Sequence, residues 1–190
     1  MKSLIITAHP SAEGFTHQIA RAYKKAKGQT GGTADIINLY SKKWQQPFLS
    51  FQDHAHFSDW PKTKTLENFQ AKIKAADELV FCFPVWWFGA PAILKNFLDV
   101  NLTAHFAYYY DQHGRPHGLL KGKTAKIFVT AGGPAWMYLI KIEPLAKDLT
   151  AALQFCGIKT VQKLICGNRE EATHQSEQAF LDKVINSAGK

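Results

Sequence analysis

The stretch Leu79–Pro91, LVFCFPVWWFGAP, changes its pattern halfway through. It begins as an unbroken apolar run with the length of a buried strand, Leu79 to Phe83. Pro84 cannot continue a central hydrogen-bond ladder, Gly89 permits a sharp backbone path, and Pro91 suits the first turn of a helix. Ile93, Leu94, Phe97 and Leu98 then recur at helical spacing. The pattern is strand, turn, helix, with the strand covered on both faces. Trp86, Trp87 and Phe88 are left side by side in the turn, where neither period can bury all the rings.

The same unit recurs along the chain. Runs at Leu4–Ala8, Ala34–Leu39, Ala125–Thr130 and Val161–Cys166 have strand character. Helical spacing lies between and after them: Ile19, Tyr23 and Ala26; Leu66, Phe69, Ile73 and Ala76; Leu145, Leu149 and Leu153; Phe180, Leu181, Val184 and Ile185. Strands alternating with helices in this way predict an α/β domain over residues 1–190, a doubly wound parallel sheet with right-handed crossovers and helices on both faces. The commonest order of five such strands, 2-1-3-4-5, opens a ligand crevice beyond the carboxyl ends of strands one and three. Two connections, Tyr40–Lys64 and Thr103–Lys123, are longer than this scheme needs. Both carry aromatic residues, and loops of about twenty residues in a compact domain are usually functional or meet a partner.

Composition narrows the function. With 46% hydrophobic and 20% charged residues, the chain has the balance of a globular protein rather than a disordered tail. The opening MKSLIITAHP has too short an apolar run for a leader or a membrane span and is expected to be the first strand of a cytoplasmic protein. Cys82, Cys156 and Cys166 sit in apolar runs, which favours buried thiols over a disulfide framework or zinc ribbon. The net charge of +8 is scattered, with no run of basic residues that would mark a nucleic-acid surface, yet it still attracts anionic small molecules. His54 and His56 have a spacing that metal ligands share, but no third ligand is close in sequence, and a solvated loop is the plainer reading.

The loops after strands one, three and four carry unusual residues and would converge at the crevice. After strand one, a turn with Ser11, Gly14 and Thr16 runs straight into a helix, where free N–H groups and hydroxyls would cradle a phosphate. The same residues also fit a plain capped helix start with Thr16 as N-cap, and His9 either donates to the phosphate or caps the strand. After strand four, Gly132 and Gly133 let a flat ligand approach the backbone closely, and Tyr138 adds a phenolic donor. After strand three, Trp86, Trp87 and Phe88 offer flat walls for a planar heteroaromatic ligand, or else pack beneath the long loops or at a subunit interface. Strands two and five are followed by no comparable signature. Together these features predict a site for a phosphorylated planar cofactor on a flavodoxin-like sheet. Flavin fits best, because no acidic residue follows strand two in the manner of a dinucleotide-binding fingerprint. Glu13 is the one carboxylate in these loops, so no acid–base carboxylate pair is expected.

The stretch FPVWWFGAPAILKNFLDVNLTAHFAYYYD, followed by GLLKGKTAKIFVTAGG and MY, closely resembles the NAD(P)H:quinone oxidoreductases of the DT-diaphorase type and their bacterial relatives. ITAHPSAEGFTHQ and LQFCG are similar to the same family, so the resemblance runs from the first strand to about Gly157. It implies a flavodoxin-like homodimer with non-covalent FAD, or FMN as in smaller relatives, and with both subunits lining each pocket. His9, Phe15 and Thr16, with His17 and Gln18 of the same run, would meet the pyrophosphate. Pro84, Val85, Trp86, Trp87 and Phe88 would hold the isoalloxazine edge, with Trp87 and Phe88 also walling the substrate slot. Trp86 is not aromatic in the best-known relative and gains no separate role. Thr130, Ala131, Gly132, Gly133 and Tyr138 would surround the pyrimidine end, where Gly132, Gly133 and Tyr138 are the candidate catalytic donors. Tyr108, Tyr110 and Phe155 would cap the slot from the partner subunit.

The implied reaction is hydride transfer from NAD(P)H to flavin N5 and onward to a quinone, with both substrates using one slot in turn and therefore ping-pong kinetics. An alternative within the resemblance is a flavin-binding regulatory partner of a glutathione-gated potassium-efflux system, a membrane transporter. Reduction of azo or nitro compounds would use the same site.

Overall fold

Every residue of strand β3 (Glu78–Pro84) is buried, as a central strand covered on both faces requires. In the computed structural model, which describes residues 1–50, 62–140 and 147–189, β3 lies between β1 (Lys2–Thr7) and β6 (Thr124–Thr130), parallel to both. The edges are β2 (Thr33–Asn38) and β7 (Lys159–Cys166), and the order β2-β1-β3-β6-β7 is the expected 2-1-3-4-5 arrangement of the five parallel strands. Strand order reverses between β1 and β3, which places the switch point where the sequence pattern predicts it.

Alternation along the central strands divides the apolar residues between two cores. Leu4, Ile6, Leu79, Phe81, Phe83, Ile127 and Val129 face α2 (Lys64–Ala75), α3 (Ala92–Asn101) and α5 (Lys147–Phe155). Ile5, Val80, Cys82 and Phe128 face α1 (Phe15–Gln29) and α6 (His174–Ser187). Right-handed crossovers from a parallel sheet put helices on both faces, so each strand side chain finds an apolar partner whichever way it points.

A charged cluster is buried at the opposite end of the sheet from the switch point. Glu78, at the start of β3, accepts hydrogen bonds from the hydroxyls of Ser3 and Tyr23, both at 2.6 Å. Lys126 and Lys27 lie 3.2 and 3.4 Å from the same carboxylate. Lys126 also donates to the Ser187 carbonyl at 2.5 Å, near the end of α6, and Lys27 sits in the last turn of α1. The negative ends of these two helices complement the positive charge that Glu78 alone does not balance.

Part of the architecture departs from the sequence expectation. The connection after α3 holds a two-stranded antiparallel ribbon, β4 (Tyr108–Tyr110) and β5 (Pro116–Gly118). Each strand is only one turn's worth of chain and follows no period long enough to read. Gly118 seats the ribbon: a Cβ there would come within 2.3 Å of the Cys156 backbone at the end of α5. A short helix, α4 (Ala135–Ile140), stands where a plain loop was expected. Leu145, His54 and His56 lie outside the described residues. The three cysteines are free and buried, and burial pushes the Cys156 thiol up to about 11.

Candidate functional site

The loops after β1, β3 and β6 converge at the switch point on a cleft of about 250 Å³. In the first loop, the Ser11 N–H donates to Nδ1 of His9 at 3.1 Å. Nδ1 also lies 3.2 Å from the Ser11 carbonyl, so both polar groups of the Ser11 backbone meet the same ring nitrogen and hold the imidazole in place. Gly14 packs against this ring: a Cβ would come within 3.0 Å of Nδ1 and Cε1.

Gly14 is the N-cap of α1, with no side-chain cap, which corrects the alternative that makes Thr16 the cap. The first-turn N–H groups of Phe15 and Thr16 consequently have no intrahelical acceptor. Thr16 is buried one step further into the helix, and its hydroxyl lies 3.3 Å from that of Thr130 at the end of β6. His17 does not face the cleft. It is buried behind the loop and donates from Nε2 to the His9 carbonyl at 3.1 Å. Burial is the main cause that holds its pKa below the ordinary histidine value, against the opposing effect of that hydrogen bond. Gln18 is exposed on α1 and does not line the cleft.

The aromatic turn differs most from its sequence reading. Trp86 and Gly89 exchange backbone hydrogen bonds at 3.0 and 2.9 Å, closing a two-residue hairpin whose corners are Trp87 (φ 49°) and Phe88 (φ 61°). The unusual backbone thus falls on two bulky residues rather than on Gly89. Trp86, with Pro84 and Val85, lines the cleft. Trp87 is 96% exposed, and Phe88 turns away into a second cleft of about 240 Å³ floored by Leu94, Leu98 and Leu149.

In the third loop, Thr130, Ala131 and Gly132 line the cleft. The Gly133 N–H donates to the Tyr138 hydroxyl at 3.2 Å, so this amide is engaged within the protein and the phenolic proton remains to be donated. Tyr138, from α4, is buried behind the loop rather than among the lining residues.

The segment after β7, for which the sequence reading finds no signature, forms the fourth wall. Asn168 N–H donates to Gly133 O at 2.9 Å and Arg169 N–H to Ala131 O at 3.2 Å, which staples it to the loop after β6. Gly167 makes the approach possible, because a Cβ would come within 2.4 Å of the Ala135 nitrogen. The turn pair Gly167–Asn168 directly after a strand is the signal that marks this loop in the sequence. Arg169 lines the cleft, with its guanidinium 4.1 Å from the centre of the Phe15 ring and 2.5 Å from Glu177.

Tyr108, Tyr110 and Phe155 meet each other but not this cleft. Tyr108 and Phe155 are edge-to-face at 4.9 Å, Tyr108 and Tyr110 at 5.8 Å, and the group flanks another cleft beside Leu98 and Leu102. Burial, reinforced by Tyr110, pushes the Tyr108 hydroxyl above its ordinary pKa. Among the described residues no group of three metal-ligating side chains forms, and no helix is long and apolar enough to cross a membrane.

A family model described as the flavodoxin-like fold matches residues 1–186. An uncharacterized NAD(P)H oxidoreductase of Haemophilus influenzae is 29% identical over 96% of this chain and 91% of its own length. The mouse ribosyldihydronicotinamide dehydrogenase [quinone] is 27% identical over 95% of this chain and 87% of its own. A solved structure from Streptococcus mutans superposes with a TM-score of 0.88 at 30% identity, covering 100% of this chain and 99% of that one. An FMN-dependent NADH-azoreductase from Bacillus anthracis in complex with FMN shares the fold, with a TM-score of 0.77 at 23% identity over 98% of this chain and 97% of that one.

Proposed function

This chain belongs to the flavodoxin-like family that takes in the NAD(P)H:quinone oxidoreductases, and on that premise we propose that it is a flavin-dependent NAD(P)H:quinone oxidoreductase of the cytoplasm. The observation that carries the proposal is the donor set of the cleft. The His9 imidazole, the Thr16 and Thr130 hydroxyls and the first turn of α1 meet there, and Pro84, Val85 and Trp86 supply a wall of the same cleft. That combination suits a planar ring carrying a phosphate. Free, buried thiols at Cys82, Cys156 and Cys166 are in keeping with a reducing compartment.

Flavin, when bound, supplies the two-electron hydride chemistry that links NAD(P)H to a quinone. The protein holds and polarises. His9 and the start of α1 would hold the phosphate, and the Thr130–Gly132 edge would meet the polar side of the ring. The Tyr138 hydroxyl, which accepts from Gly133 behind the loop, is the proton donor that this reading assigns to the side of the ring where negative charge would gather on reduction. FAD is the cofactor in this reading and FMN the alternative, which the solved Bacillus anthracis azoreductase holds.

The cleft, at about 250 Å³, falls below the range of about 300–1,000 Å³ that is usual for a ligand site. Trp87 and Phe88 beside it are exposed, and Tyr108, Tyr110 and Phe155 cluster elsewhere on the chain. These features support a homodimer of single-domain chains in which the second copy's aromatic cluster completes the substrate slot. A slot shared by both substrates predicts ping-pong kinetics. The test is to release and identify the flavin on denaturation, then measure NAD(P)H-dependent quinone reduction. Parallel double-reciprocal lines are expected, whereas a colourless protein that takes up neither FAD nor FMN would overturn the proposal. Co-purification with a membrane transporter, without quinone turnover, would favour the regulatory-partner role instead.

A further inference from the structure

Arg169 has a setting that the neighbouring Glu170 and Glu171 lack. Asn168, with a left-handed φ of 53°, reverses the chain after β7, and the hydrogen bond from Arg169 N–H to Ala131 O holds the backbone against the loop after β6. The side chain consequently reaches the cleft. Three contacts fix its position there. Its guanidinium lies over the Phe15 ring at 4.1 Å, one nitrogen pairs with Glu177 at 2.5 Å, and the other is 4.0 Å from the Cys166 sulfur.

A guanidinium has five N–H donors in a planar fork; Glu177 takes one terminal nitrogen and the Cys166 sulfur, a weak acceptor at 4.0 Å, faces the other, so donors remain for a stronger acceptor. The Phe15 ring excludes water from one face, which strengthens the charge towards any group on the open side. The same cleft is lined by His9 and Thr16; the Glu170 carboxylate stands beside its Gly132 wall, 3.8 Å from where a Cβ on that glycine would lie. An anionic group entering between His9 and Arg169 therefore meets donors from the first and last loops of the sheet together.

We propose that Arg169 binds the phosphate of the ligand and makes the cleft select phosphorylated over unphosphorylated flavins. The assignment rests on the flavin reading above. It adds a residue from outside the loops that the family resemblance marks, and it gives a reason for the long-range tie between Ala131 and Arg169. The Glu177 pair keeps the guanidinium oriented, so that a phosphate meets a preset fork and forms charge-assisted hydrogen bonds without reordering the side chain.

The test is titration of flavin-free protein with riboflavin, FMN and FAD, followed by flavin fluorescence, for wild type, Arg169→Gln and Arg169→Lys. Arg169→Gln should weaken FMN and FAD by about 10–100-fold, the range of a lost charged hydrogen bond, and leave riboflavin affinity unchanged. Arg169→Lys, a point charge without the fork, should fall between. Equal losses for all three flavins would assign Arg169 a merely structural role and overturn the proposal, as would no loss for any. Wild-type protein that binds none of the three overturns the flavin reading and this assignment with it, a result distinct from loss confined to the variants.

Discussion

The Ser11 amide meets Nδ1 of His9 at 3.1 Å, and this contact holds the imidazole at the wall of the cleft. Gly14 holds the ring in place from below. Gly14→Ala should push the ring out of position and weaken flavin binding about tenfold, in line with the loss of a hydrogen bond to a charged group. Fluorescence titration with FMN checks it; an unchanged affinity would remove His9 from the phosphate end.

Trp87 sits at φ 49° with almost its whole side chain in solvent. The left-handed conformation costs a bulky residue about 1–2 kcal/mol, and almost no packing is recovered within the chain. Asn tolerates this conformation, so Trp87→Asn is expected to raise the melting temperature by about 2–4 °C, the shift about 1 kcal/mol gives in a chain of this size. Quinone turnover should fall in the same variant, because the strain then persists for the ring's role at the slot. Calorimetry beside steady-state kinetics separates the two effects, and a variant that gains stability at full turnover would leave the ring without that role.

Tyr138→Phe removes the acceptor of the Gly133 amide and the phenolic proton together. Loss of a donor that stabilises developing charge typically lowers kcat by about 10²–10³-fold. Stopped-flow measurement of flavin reduction by NAD(P)H is the direct readout, with full-speed reduction in the variant counting against the assignment.

His17 provides a pH signature of the loop itself. Burial lowers its folded pKa below the ordinary value of 6.5, so the unfolded chain binds the extra proton more readily. Stability from this source is present above pH 6.5 and is lost as pH falls through and below it. Melting temperatures between pH 5 and about 7.5 should decline towards acid in the wild type, with a shallower decline in His17→Gln over the same window.

Glu78 is the hinge of the buried charge cluster. Burial raises its pKa, but hydrogen bonds from Ser3 and Tyr23 and the charges of Lys126 and Lys27 outweigh that and hold it below the usual carboxylate range. Its contribution is therefore present above the unfolded value and lost as pH falls through the lowered one. Glu78→Gln leaves two lysine charges buried without their carboxylate and should cost about 3–5 kcal/mol, read as a shift in the urea midpoint. The cleft is at the other end of the sheet, so flavin affinity measured well below the midpoint should hold.

The parallel sheet, its order and the crevice between β1 and β3 were legible because buried strands are continuous apolar runs and the connecting helices repeat every few residues. The turn at Trp86–Gly89 was legible as a turn but not in its detail. Which ring faces the cleft depends on where the positive φ values fall, and Gly89 drew attention that belongs to Trp87 and Phe88. The ribbon Tyr108–Gly118 is too short to show a period and is seated by contact with α5, whose partner residues lie far along the chain.

Local pattern alone thus determined the elements, their alternation and the three loops that meet at the switch point, since each depends on neighbours within a few residues. Arg169 entered the site only through tertiary structure. Its place depends on hydrogen bonds to Ala131 and on the Phe15 ring, contacts across more than thirty and more than a hundred residues that no local periodicity encodes. The same holds for Gly133 and Tyr138: both were named from sequence, but which of them has a proton left to donate was decided by the 3.2 Å bond between them.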